Sequence, residues 1–169
     1  SPCGRFMLEV IAEREVSEHL EIGAVTGGLA DMLDVLMKKH GDKDLTLLCG
    51  SYFAVPFPGA FDAVISFESL HHFSREKKLG LYRRICEALR PGGVFLNGDY
   101  MVESEEEERV LMDECTRLRK EQGIPEDVFV HFDTPLAVDA EIELLKHAGF
   151  ACVEKLWRQG NTTLLRAVR

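Results

Sequence analysis

The feature that most constrains the fold lies near the start of the chain. A short apolar stretch, His19-Leu20-Glu21-Ile22, has the character of a strand and runs without a break into Gly23-Ala24-Val25-Thr26-Gly27-Gly28. Directly after these glycines, Leu29, Met32, Leu33, Leu36 and Met37 recur at helical spacing. The basic run Lys38-Lys39-His40 and then Gly41 make a helix stop. Strand, glycine turn and helix in that order build a corner at which small residues admit a ligand to the backbone. The helix N-terminus there offers free N–H groups to an anion or a nucleotide. Corners of this kind occur in several α/β folds, so the turn alone identifies none of them.

The remaining segments extend the alternation. Phe6, Leu8, Val10 and Ile11 fall near one side of the stretch from Phe6 to Val16, which predicts a short helix. Leu45 to Cys49 is a short apolar strand, and Val55-Pro56-Phe57-Pro58-Gly59 is a loop. Phe61 to Phe67, rich in β-branched and aromatic residues, predicts a buried strand. Ser74 can cap a helix running to about Leu89, with Leu79, Tyr82, Ile85 and Cys86 on one face. Pro91-Gly92-Gly93 ends that helix, and Val94-Phe95-Leu96 opens the next strand. A long helix is expected from Glu103 to Gln122, its acidic start and basic end matching the helix dipole. After a loop region, Val138 to His147 reads as a helix closed by Gly149. Ala151 to Trp157 and Thr162 to Val168, joined through Gln159-Gly160-Asn161, read as an antiparallel hairpin in which Trp157 packs, with an interface role as the alternative. Alternation of strands and helices up to residue 100 implies a parallel sheet covered by helices. The 169 residues make one domain, 1–169, without a repeat or a low-complexity linker.

Composition excludes several functions. Twenty Lys and Arg against 29 Asp and Glu leave a net charge of −9, a poor basis for clamping nucleic acid. No run approaches the ~18 apolar residues of a membrane span, and the N-terminus lacks a signal-peptide pattern. Cys3, Cys49, Cys86, Cys115 and Cys152 are odd in number, widely spaced and without a CxxC pair, as expected of reduced thiols in the cytoplasm. No His/Cys/Asp/Glu spacing matches a metal site, and neither a P-loop nor a Ser-His-Asp elbow is present.

The order of segments around the glycine turn is more specific than the turn. Glu21-Ile22-Gly23-Ala24-Val25-Thr26-Gly27 is followed by Val55-Pro56-Phe57-Pro58, Phe61-Asp62-Ala63-Val64-Ile65-Ser66 and Leu70-His71-His72-Phe73. Leu89-Arg90-Pro91-Gly92-Gly93-Val94-Phe95 comes next, and Leu145-Lys146-His147-Ala148-Gly149-Phe150 lies near the end. Over nearly its whole length the chain resembles the class I S-adenosylmethionine-dependent methyltransferases, in particular their small-molecule branch. The resemblance implies a Rossmann-like methyltransferase fold: a mostly parallel sheet flanked by helices, with a C-terminal antiparallel hairpin. It implies S-adenosylmethionine as cofactor and a small-molecule methyl acceptor, with a homodimer as a possible assembly and no nucleic-acid or membrane partner.

It also implies roles for matching residues. Gly23, Ala24 and Gly27 would lie near the methionine part of the cofactor, with Glu21 orienting the loop. Gly50-Ser51-Tyr52 falls where the family often has Gly-Asp and contacts the adenine, although Ser51 replaces the acid. Ser66 and Phe67 would end a strand beside the sulfonium, while Asp62, Pro91, Gly92 and Gly93 would be structural. Two further features depart from the family. Val25 stands where the family most often has glycine, and a β-branched residue is strained if φ there is positive. Only 27 residues separate Gly23 from Gly50. In the family this interval holds two helices, a second strand ending in a ribose-binding acid, and the third strand, so one strand–helix unit is missing. The join would fall near Ala30-Asp31. Three origins fit: residues absent from this sequence, a natural or engineered deletion, or a diverged connection.

Methyl transfer from a sulfonium is an in-line displacement with an excellent leaving group, so the protein chiefly positions the reactants and excludes water. A general base is needed only where the acceptor must lose a proton. His71 and His72, which follow the strand end beside the cofactor, are the candidates. His131 and Asp133 lie in a loop that can cover the acceptor pocket, and Tyr100, Met101 and the helix after them can line it. Two other readings compete. A methyltransferase-like binding module without turnover, acting through protein partners, is favoured by Val25, Ser51 and the short interval. A dinucleotide oxidoreductase lacks the GxGxxG spacing it would need.

Overall fold

The computed structural model describes residues 6–12, 19–24, 38, 44–50, 53–54, 56–57, 61–125, 128 and 132–169. Before residue 51 it defines backbone and strand pairing. Its elements are β1 (Phe6–Ala12), β2 (His19–Ala24), β3 (Asp44–Gly50), β4 (Phe61–Phe67), α1 (Arg75–Ala88), β5 (Leu89–Tyr100), α2 (Glu105–Glu121), α3 (Val138–His147), β6 (Cys152–Gln159) and β7 (Thr162–Val168). The strands form one seven-stranded sheet in the order β3-β1-β2-β4-β5-β7-β6. β2, β4 and β5 are parallel neighbours, and the C-terminal hairpin of β6 and β7 joins β5 antiparallel, as expected.

One helix expected from the sequence is a strand. Phe6, Leu8 and Val10 satisfy a period of two as well as a helical face, and tertiary pairing decides between them. β1 lies between β2 and β3, antiparallel to both, and hydrogen-bonds along both edges. A helix of that length gains no comparable support. β1 therefore fills the position beside β2, and among the described residues no strand lies between β2 and β3 in sequence. The helix expected after the glycine turn falls outside the described residues apart from Lys38, which is helical and exposed.

The core is built where the sequence is most apolar. Phe61 and Val64 of β4, Leu81, Tyr82 and Ile85 of α1, and Phe95 of β5 are buried together with Leu144, Leu145, Phe150 and Leu165. Each fully buried side chain of this kind stabilises by roughly 1.5–3 kcal/mol. Ser74 caps α1, its Oγ accepting from the Lys77 N–H at 3.4 Å. Pro91-Gly92-Gly93 forms an irregular step at the start of β5, where pairing with β4 jumps from Phe61–Leu89 to Ala63–Val94. A Cβ on Gly93 would stand 2.9 Å from the Arg90 carbonyl oxygen, so the step requires glycine there. Asp62 and Arg90 form an ion pair across it at 2.7 Å.

Trp157 does not pack inside the hairpin. It is 48% exposed, because β6 is the outermost strand and its register shifts between Lys155 and Trp157. Cys86, Cys115 and Cys152 are free thiols. No helix among the described residues is long and apolar enough to cross a membrane.

Candidate functional site

Parallel pairing gathers the candidate cofactor residues at one edge of the sheet. Ile22 of β2 pairs with Ser66 of β4, so Gly23 and Ala24 continue beside Phe67, and Glu21 sits one step back opposite Ile65. Phe6 pairs with both Ala24 and Gly50, which brings the end of β3 to the same edge. Gly27, Ser51 and Tyr52, together with Val25, His131 and the join near 30–31, lie outside the described residues.

Ser66 and Phe67 have opposite environments. Ser66 is buried, and its Oγ has no hydrogen-bond partner among the described residues. Phe67 is 59% exposed and its ring lies over Gly98 of β5, where an added Cβ would stand 2.6 Å from Phe67 Cδ2. The strand end thus presents an aromatic ring beside residues with small side chains or none. Beyond it the chain turns sharply. Glu68 has φ 46°, in the left-handed region, a conformation that costs roughly 1–3 kcal/mol for a non-glycine residue. The Glu68 N–H donates to the Gly98 carbonyl at 2.7 Å and steadies that turn.

The turn delivers His71 to Asp99, a buried residue near the end of β5. Asp99 Oδ2 accepts from the Leu70 N–H at 3.0 Å, Asp99 Oδ1 accepts from the Tyr100 N–H at 3.0 Å, and Oδ1 also lies 2.6 Å from His71 Nδ1. A carboxylate at Nδ1 fixes the proton on that nitrogen and leaves the Nε2 lone pair facing away. A second loop closes over the pair. The Thr134 N–H donates to the His71 carbonyl at 2.9 Å. Asp133 Oδ1 then stands 3.5 Å from His71 Nε2 and 3.2 Å from His72 Nδ1. Burial pulls the His71 pKa down. The hydrogen bond and charge of Asp99, then the charges of Asp133 and Glu68, outweigh it and leave the imidazole above its ordinary value.

Sequence reasoning selected His71 and His72 but missed Asp99, whose only signal is an acid near the carboxyl end of a strand. It placed Asp133 in a loop able to cover the acceptor pocket or to cap the next helix, and the structure sets that residue against both histidines. Tyr100 also reaches the site, its ring 5.8 Å from that of His71. It lines a groove of about 560 Å³ with Val102, Val110 and Asn161. Met101 does not: it is fully buried in the core, since side chains alternate across the end of β5. The wall of the groove is α2, none of whose residues is buried. Glu108 ties its first turn to the body, pairing with Arg75 at 2.7 Å and accepting from the Ala137 N–H at 2.9 Å.

A mixed α/β sheet whose central strands β2, β4 and β5 run parallel, with a histidine-bearing loop at their carboxyl edge, is Rossmann-like. Residues 19–93 match the family described as "Methyltransferase domain", and the resemblance read from the sequence is borne out. A protein of Staphylococcus carnosus described as an uncharacterized methyltransferase is 29% identical over 120 residues, 63% of this chain and 58% of that protein. The crystal structure of the S-adenosylmethionine-dependent methyltransferase SibL in its apo form matches with a TM-score of 0.63 at 18% identity, covering 88% of this chain and 42% of that one. The structure of PigF with SAH matches at 0.60 and 18% identity, covering 88% and 42%. The chain therefore spans a little over half of the curated relative and less than half of these structures.

Proposed function

We propose that this protein transfers a methyl group from S-adenosylmethionine to a small-molecule acceptor. The observation that carries the reading is the convergence, at one sheet edge, of Gly23 and Ala24, the exposed ring of Phe67, and the His71–Asp99 pair one turn further on. An exposed aromatic ring lying against a glycine, next to a strand end with minimal side chains, fits a ligand with an adenine and an aliphatic chain. Glu21, Gly23, Ala24, Gly27, Ser51, Tyr52, Ser66 and Phe67 are the residues assigned to hold it. The chemistry the cofactor supplies is an electrophilic methyl group on a sulfonium.

The chain's own residues supply the rest. The groove beside Tyr100 holds the apolar part of the acceptor, and α2 screens it from water. His71 Nε2, aimed by Asp99 at Nδ1, takes the acceptor proton where the acceptor is an alcohol or a phenol. His72, joined to Asp133, helps place it. Acidic charge and widely spaced thiols support a cytoplasmic enzyme with no nucleic-acid or membrane partner.

A second reading is a binding module of the same fold without turnover. It is favoured by β1, which runs opposite to β2 and so brings its amino end at Phe6, rather than a carboxyl end with a ribose-binding acid, to the cofactor edge. Calorimetry of the chain with S-adenosylmethionine separates the two. A micromolar dissociation constant, about −8 kcal/mol, is expected. A folded chain that gives no binding heat would establish the module instead.

A further inference from the structure

We propose that His71, His72 and Asp133 form a site for a divalent transition-metal ion of the zinc type, and that the bound ion withdraws His71 from proton transfer. The second half rests on the methyl-transfer reading above; the first does not.

The donor spacing fits such an ion. Zinc bonds of about 2.0–2.2 Å to imidazole nitrogen and carboxylate oxygen, at tetrahedral angles, place two ligand atoms about 3.3 Å apart. Asp133 Oδ1 lies 3.5 Å from His71 Nε2 and 3.2 Å from His72 Nδ1. The donor atoms of the three residues all fall within 4.8 Å of one another. They come from two separate loops, 71–72 and 133, which is why no spacing rule in the sequence reveals them. The bond from the Thr134 N–H to the His71 carbonyl, 2.9 Å, holds the loops together.

The surroundings fit a metal centre in a further respect. A ligating histidine is normally oriented by a hydrogen bond from its other ring nitrogen to a carboxylate. Asp99 provides this at His71 Nδ1, at 2.6 Å. That separation is too short for two ligands of one ion, so Asp99 is the orienting partner. The same distance argues against Glu68, His71 and Asp99 as a ligand set, although their donors also cluster. Both imidazoles are largely buried while Asp133 is half-exposed, giving a dry floor with one open side. His72 Nδ1 also faces the Phe132 carbonyl oxygen at 3.3 Å, a contact that ligation would replace. Two imidazoles and one carboxylate suit zinc, cobalt or iron(II); magnesium and calcium prefer all-oxygen sets. Three protein ligands leave the ion a position for water or an acceptor oxygen.

The functional consequence follows from electron counting. Imidazole Nε2 has one lone pair, which cannot bind an ion and accept a proton at once. Metal uptake should therefore slow any transfer in which His71 is the base.

The test uses the full chain, freed of metal by a chelator. Titration with Co²⁺, followed by visible absorption, and with Zn²⁺, followed by calorimetry, is expected to give one ion per chain, with Zn²⁺ bleaching the cobalt spectrum. Asp133→Asn and, separately, His72→Gln should each weaken binding at least tenfold; Asp133 is half-exposed, so at least that variant keeps its fold. Binding far from one ion per chain, or undiminished affinity in both variants, would overturn the site and leave the methyl-transfer reading standing. Stoichiometric binding with an unchanged transfer rate would overturn the block at His71. Stoichiometric binding in a chain that never binds S-adenosylmethionine would support the site while defeating the methyl-transfer reading.

Discussion

Two polar clusters lie on the same face of β5, two residues apart along the strand, and they differ in their access to solvent. Around Asn97, the Lys78 Nζ donates to Glu141 Oε2 at 2.9 Å, the Tyr82 hydroxyl donates to Glu141 Oε1, and Asn97 Nδ2 lies 3.5 Å from the Tyr82 oxygen. Lys78 and Glu141 are 1% and 0% exposed, sealed between α1, α3 and the sheet. Burial, then the charge and hydrogen bond of Glu141, push the Tyr82 pKa well up, so its hydroxyl stays a donor. Around Asp99 two imidazoles and two carboxylates meet, and Asp133 is 53% exposed, so this cluster opens to the surface. The sealed cluster cannot exchange protons with anything, so its role is structural. The open one has Asp99 fixed at His71 Nδ1 and, at Nε2, the half-exposed Asp133 at 3.5 Å, so that nitrogen stays within reach of solvent for proton transfer or ligation.

That contrast breaks first where the cost is greatest. Glu141→Leu would leave the buried Lys78 ammonium without its counter-charge, and a loss of about 3–5 kcal/mol is expected in denaturant melts. Lys78→Met added to it should recover part of the loss by removing the stranded ammonium, while the buried Tyr82 hydroxyl still lacks its Glu141 acceptor. A loss in Glu141→Leu below about 1 kcal/mol would show that the cluster reaches water after all. Asp99→Asn comes next. Asparagine keeps one side-chain oxygen, so only one of the Leu70 and Tyr100 N–H groups retains its acceptor; a loss of about 1–3 kcal/mol is expected, which the fold should survive. Methyl transfer should fall about a hundredfold or more as His71 loses its orientation, read as turnover at saturating cofactor. Gly98→Ala acts on the other part of the edge. Its Cβ would meet the Phe67 ring, which is exposed and free to swing. Stability should therefore change by less than about 1 kcal/mol while affinity for S-adenosylmethionine falls; equal affinity would remove Phe67 from the cofactor site.

The parts of the fold that were legible carry local signals. The bounds of β4 match the run of β-branched and aromatic residues, α3 ends at Gly149, and the final hairpin turns at Gly160 with φ 58°. β1 was misread because Phe6, Leu8 and Val10 fit two periods, and the choice depends on β2 and β3. The site was legible in half: His71 and His72 follow the strand end that the resemblance points to. Asp99 and the contact of Asp133 were hidden, because each meets His71 only through folding, 28 and 62 residues away along the chain. The sealed cluster was hidden for the same reason. Lys78 and Glu141 are 63 residues apart and look, one at a time, like solvent-facing charges of two helices. Charged residues are almost never fully buried unless paired, and a sequence does not display the pair.

The smallest effect on stability is expected at Asp133, and it is the sharpest probe of the comparison. Its carboxylate is half in water, so the Asp133–histidine contacts are screened and are worth about 0–1 kcal/mol. For a chain of this size, Asp133→Asn should lower the melting temperature by no more than about 2–4 °C. The replacement keeps the side-chain shape and the loop, because the bond from the Thr134 N–H to the His71 carbonyl belongs to the backbone. A loss as large as that of Glu141→Leu would show that the second cluster is sealed too. It would then be a structural network like the first, and His71 would have no open side from which to act.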